Sequence, residues 1–84
     1  METRIEIFYQ VRDMIVAVCR DYSNKLISDT DITENSTKED LGMDSIDEVD
    51  LAFRIESAFS ISIPIEWQMT TVGSLIDLII ELKK

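Results

Sequence analysis

Apolar residues recur along this chain at spacings of three and four, the period of a helix rather than a strand. Ile7, Val11, Met14, Ile15 and Val18 fall on one stripe, which predicts a first helix from Glu2 to about Arg20. Ile5 and Phe8 extend the stripe at its start. Glu2 and Glu6 lie in the first turn, where negative charge suits the helix dipole. A second helix is predicted from Ser45 to about Phe59, and it carries two apolar lines. Leu51, Ile55 and Phe59 face a core, with Ala52 and Ala58 beside them. Ile46, Val49 and Phe53 form the other line. That is more apolar circumference than one core contact needs. Either this helix packs on two sides inside a small bundle, or the second line is a patch that a partner covers. Asp47, Glu48, Asp50 and Glu56 would surround such a patch. Thr70 or Thr71 can cap a last helix running to about Leu82. Its apolar face is Val72, Leu75, Ile76, Ile79 and Ile80, and Lys83 and Lys84 complement its C-terminal end.

The segments between these helices are less regular. Residues 21–40 are mostly turn formers, interrupted by Leu26, Ile27 and Ile32, which pin a long loop to the helices. A short helical turn is placed near Lys25–Ser28. Ser60-Ile61-Ser62-Ile63 alternates like a strand but is too short and isolated to pair. Pro64 suits the first position of a helix, so Ile65–Met69 is read as one or two turns at most. The pattern is all-α: three main helices, one short one and a long first loop around one core.

With 84 residues, one domain over 1–84 is expected. The 17 acidic against 8 basic residues give a net charge of -9, which argues against nucleic acid as a partner. The same charge favours basic protein partners, approached with electrostatic steering, although part of it serves only solubility. Cys19 is the sole cysteine and sits in an apolar stretch, so it reads as a small buried hydrophobe. There is no histidine, which removes Ser-His-Asp and Cys-His catalysis and imidazole ligation of zinc. Glu2, Arg4, Glu6, Arg12 and Asp13 break up the apolar residues of the first helix. No secretory signal or membrane span is read there, and cytoplasmic residence is the expectation. Asp29, Asp31 and Thr33 alternate like the opening ligands of a calcium loop. Glu34 stands where such a loop needs glycine, and Asp40 where it needs glutamate, so no metal site is assigned.

Candidate chemistry concentrates in Asp40-Leu41-Gly42-Met43-Asp44-Ser45-Ile46-Asp47. Gly42 breaks the chain, and Asp44 or Ser45 then opens the second helix. Ser45-Ile46-Asp47-Glu48 fits a capping box, which would make Ser45 a structural cap; Asp44 can cap equally, with its own acid three places on. The other use of a hydroxyl at a helix start is as an acceptor of phosphate, in the field of unpaired N–H groups.

This series resembles the attachment site of acyl carrier proteins, usually Asp-Leu-Gly-x-Asp-Ser-Leu. The resemblance continues through Val49-Asp50-Leu51, Ile55-Glu56, Phe59, Ile63-Pro64, Thr70-Thr71-Val72 and Ile76. It implies the carrier-protein four-helix bundle. It also implies that Ser45, next to Asp44, receives 4′-phosphopantetheine from coenzyme A through a separate phosphopantetheinyl transferase. An acceptor needs no base of its own, so no enzymatic activity is expected. The resulting arm would carry acyl groups as thioesters for fatty-acid, polyketide or related biosynthesis, the protein being a monomer that meets acyl-transferring, synthase or ligase enzymes. In the family, positions matching Ile46, Val49 and Phe53 meet those enzymes; Asp47, Asp50 and Glu56 are assigned to the same face. Arg54, Ser57, Thr37 and Trp67 depart from the usual pattern, and Arg54 and Ser57 make the face less acidic than in housekeeping carriers. The alternative is an armless helical interaction module of the same fold.

Overall fold

The computed structural model describes residues 3–23 and 28–83, with the backbone alone at Tyr22, Ser23 and Asp29. Four α-helices are found among them: α1 (Arg4–Ser23), α2 (Lys38–Leu41), α3 (Ser45–Phe59) and α4 (Val72–Leu82), with a 3₁₀ turn at Asp29–Asp31. Their starts share one device. A helix leaves its first N–H groups without partners, and here each start supplies a reciprocal pair. Thr3 and Glu6 exchange backbone-to-side-chain bonds at 3.0 and 3.2 Å. Thr37 with Asp40, Asp44 with Asp47, and Thr71 with Ser74 do the same for α2, α3 and α4. Such caps each contribute about 1 kcal/mol.

The ends differ. α2 stops at Gly42, whose φ of 66° is left-handed. Gly42 N–H donates to Glu39 O and Met43 N–H to Lys38 O, a Schellman pair that a residue without Cβ accommodates easily. α3 stops at Ser60, a non-glycine residue with φ of 57°.

Ile7, Val11, Ile15, Val18 and Cys19 of α1 pack against Leu51, Ile55 and Phe59 of α3 and against α4, where Val72, Leu75, Ile76 and Ile79 are buried. Met14, Phe8 and Ile80 lie partly buried at the edge of this core. Ile32 is buried and anchors the loop as expected. Ile5 does not extend the stripe: it is exposed. α1 begins at Arg4 rather than Glu2, because Thr3 caps it, and runs to Ser23 rather than Arg20. Its last turn is held by a tertiary bond, Arg54 Nη2 donating to Asp21 Oδ2 at 3.1 Å.

The short helix lies before α3, at Lys38–Leu41, and not after it. Ile65–Met69 makes a single turn, Trp67 N–H donating to Pro64 O at 3.1 Å. Two carboxylates of α3 take the backbone donors on either side. Ile63 N–H donates to Glu56 Oε2 at 2.7 Å and Met69 N–H to Glu48 Oε2 at 3.1 Å. Ser60–Ile63 forms no strand. Of the turn placed near Lys25–Ser28, residues 25–27 lie outside the described residues, as do Leu26 and Ile27 as anchors; Ser28 is not helical.

The loop before α2 is laced to the start of α4. Thr37 and Thr71 form an isolated antiparallel bridge. Val72 N–H donates to Ser36 O at 2.9 Å and Gly73 N–H to Glu34 O at 2.7 Å. A Cβ at Gly73 would lie 3.1 Å from Glu34 O, so glycine permits this approach. Arg4 closes the corner, pairing with Glu34 and Asp77 at 2.6 Å each. Its hydrogen bonds to Glu34 and then Asp77 raise its pKa above the usual arginine value, against a smaller desolvation effect. The raised pKa keeps the guanidinium half of both pairs charged until alkaline extremes. Among the described residues no helix is long and apolar enough to cross a membrane.

Candidate functional site

Asp44, not Ser45, is the cap of α3. Its backbone is extended, and its carboxylate accepts the N–H of Asp47 at 3.0 Å while Asp47 Oδ2 accepts the N–H of Asp44 at 3.2 Å. Ser45 is thereby the first residue of the helix. Its side chain is exposed, and its hydroxyl makes no hydrogen bond among the described residues. The capping work that could have occupied Ser45 is done by its neighbour. The hydroxyl is left at the positive end of a four-turn helix, beside N–H groups with no intrahelical partner.

A groove of about 360 Å³ opens at Ser45 and continues along Ile46, Val49, Asp50 and Phe53. The three apolar members are 65, 54 and 64 % exposed, so α3 is not packed on two sides. Its second line faces outward. Val49 and Phe53 also line a second cleft, of about 290 Å³, on the other side of that ridge. This cleft lies between α3 and the segment 63–69. Leu51, Ile55, Ile63, Trp67, Met69 and Leu75 give it an apolar interior. Its volume sits at the lower limit of small-molecule sites, about 300 Å³.

The acidic residues assigned to this face divide. Asp47, expected on the exposed face, is instead buried at 1 % exposure, and its carboxylate accepts the Asp44 N–H of the cap. Asp50 is partly buried and accepts from Arg54 Nε at 2.8 Å. Arg54 bridges onward to Asp21, and its pKa is raised, first by the bond to Asp21, against desolvation, and then by Asp50. Glu56 is partly buried and holds Ile63, and Glu48 holds Met69 and lies 3.7 Å from Lys38 Nζ. The exposed character of the face is therefore apolar, and its carboxylates are drawn into contacts within the chain.

The roles of Glu48 and Glu56 toward 63–69 were not anticipated from sequence. Their one signal was the eight-residue spacing, which places both on the side of α3 that meets that segment. The calcium-like residues scatter. Glu34 turns to Arg4 and Asp40 to the Thr37 cap. No group of three acidic or cysteine residues able to hold a metal occurs among the described residues. Cys19 is buried, its thiol 3.9 Å from Leu41 O.

Residues 11–79 match the model of the family described as the phosphopantetheine attachment site. Two curated relatives, the acyl carrier proteins AcpXL of Brucella melitensis and Brucella suis, are each 39% identical over 59 residues, or 70% of this chain. The match covers 58% of the length of either relative. A match of that extent has the free hydroxyl at the start of α3 well inside it, and on it the chain belongs to the phosphopantetheine-attachment family, that of the acyl carrier proteins.

Proposed function

We propose that Ser45 is the residue to which 4′-phosphopantetheine is attached, and that the protein is a carrier without catalysis of its own. The observation that carries this reading is the division of labour at the start of α3: Asp44 caps, and Ser45 is exposed with no partner to give up. The residues fit the group. A phosphodiester on Ser45 meets the N-terminal end of α3, and the groove beside it is open. When bound, the arm supplies a thiol on which acyl groups ride as thioesters.

The chain's own residues position and shelter. Asp44 and Asp47 fix the direction in which the helix start presents Ser45. Ile46, Val49 and Phe53 offer an apolar contact for phosphopantetheinyl transferase and for synthase, acyl-transferring or ligase enzymes. The net charge of -9 steers partners with basic surfaces from a distance. Asp50 and Glu56 border this contact, whereas Asp47 lies behind it. A docking surface this small suits brief encounters, and tethering makes each delivery effectively intramolecular. The apolar cleft behind Val49 and Phe53 can hold the aliphatic part of a cargo. We place this role in the cytoplasm, in the synthesis of fatty acids, polyketides or related specialised products.

Incubation with coenzyme A, magnesium and a broad-specificity transferase tests the reading by intact mass. The wild-type protein is expected to gain one phosphopantetheine and S45A none. A wild-type protein left unmodified by several transferases, or an S45A protein that is modified, overturns it.

A further inference from the structure

The segment 63–69 lies along one side of the cleft as a strap with unequal ends. At one end Met69 is buried, and its N–H donates to Glu48, a residue that also lies beside Lys38. At the other end Ile63 is only partly buried, held to α3 by its N–H bond to Glu56, and Ile65 two residues on is fully exposed. Glu48 is one turn from Ser45, and Glu56 lies about 16 Å from Ser45 along the helix axis, at 1.5 Å per residue. The more buried end is therefore near the attachment residue and the more exposed end far from it, where a single bond, 2.7 Å against 3.1 Å at Met69, holds the strap.

Resting on the carrier reading above, we propose that residues 63–69 are a hinged wall, fixed by Glu48 and latched by Glu56, and that the Glu56 latch determines how long a cargo chain the cleft admits. A chain entering past Val49 fills the apolar cleft first and reaches the Ile63 end only when it is long. A short chain leaves the latch closed. A longer one displaces Ile63 from Glu56, and the hinge at Met69 keeps the wall attached. Glu56 and Glu48 are positioning residues: they touch the wall and act on cargo only through it.

The test has two arms. In the unloaded protein, amide hydrogen exchange is followed by NMR in wild type, E56A and E56Q. A charge-assisted bond to a backbone N–H is expected to slow opening by at least about tenfold. E56A should speed exchange at Ile63 by that factor, leave Ile55 and Ile79 unchanged, and be largely reversed by E56Q, whose amide oxygen still accepts. Equal acceleration at Ile55 and Ile79 reports general loosening and overturns the proposal, as does an unchanged Ile63. In the second arm, a transferase loads wild type and E56A from coenzyme A thioether analogues bearing saturated chains of graded length, and thermal midpoints are compared with the unloaded forms. Stabilisation in wild type should peak at a shorter chain than in E56A. Identical curves overturn this inference alone. A protein that accepts no arm overturns the carrier reading and this inference with it.

Discussion

Two apolar lines run along α3, and they have opposite fates. Leu51, Ile55 and Phe59 are buried against α1 and α4, while Ile46, Val49 and Phe53 face solvent beside Ser45. Their residue types are alike and their helix is the same, so hydrophobicity does not distinguish them. Partners do. The first line meets α1 and α4. The second has no helix over it among the described residues, because the segment after α3 turns aside at Ser60 and is tied to the flank of α3 by Glu56 and Glu48. Exposed apolar residues in one contiguous run beside a free hydroxyl are what a transient docking site needs.

Substitutions can sharpen or break this contrast. The largest effect is on Ser45. S45A should lose phosphopantetheine uptake entirely yet unfold within about 0.5 kcal/mol of wild type, since Asp44 retains the cap. A large loss of stability in chemical denaturation would place Ser45 in the capping scheme instead. On the buried line, I55A should cost about 2–5 kcal/mol, measured by the same denaturation. On the outer line, V49D should leave stability within about 0.5 kcal/mol and raise the KM of a phosphopantetheinyl transferase about tenfold. If V49D unfolded the protein, or left the KM untouched, the two lines would not differ as described. D44A should cost about 1 kcal/mol through the lost cap. Smallest of all, S60G should stabilise by up to about 1 kcal/mol, because glycine accepts the left-handed turn that ends α3 without Cβ strain.

The long periodic segments were legible in sequence because each buries one stripe. Ile55 and Ile76 announce their helices by their neighbours three and four places away. α2 was not legible, since four residues show no period. Its marks were Thr37, three places before Asp40, and Gly42 behind Leu41, a cap at each end of almost nothing. At the site, the place of Ser45 could be read, but which of Asp44 and Ser45 capped the helix could not, because both fit the same local rule. The carboxylate of Asp47 misled for a similar reason. An acid in the first turn reads as surface charge, and only the three-dimensional cap shows it turned inward. Glu56 and Glu48 were seen as a rim, and their backbone partners are too distant in sequence for any pattern to join them.

The lacing of Glu34 and Ser36 to Val72 and Gly73 has a consequence for how such a chain can change over time. From Glu34 onward, most residues up to Ser45 are tied in by a rung, a cap, the core or the left-handed Gly42, so an insertion there would either unhook α4 or move Ser45 off the head of its helix. Among the described residues of the loop ahead of Thr33, no backbone bond reaches α4. Length variation among similar chains should therefore gather before Glu34, and the stretch from Glu34 to Ser45 should keep a constant number of residues even where its sequence drifts.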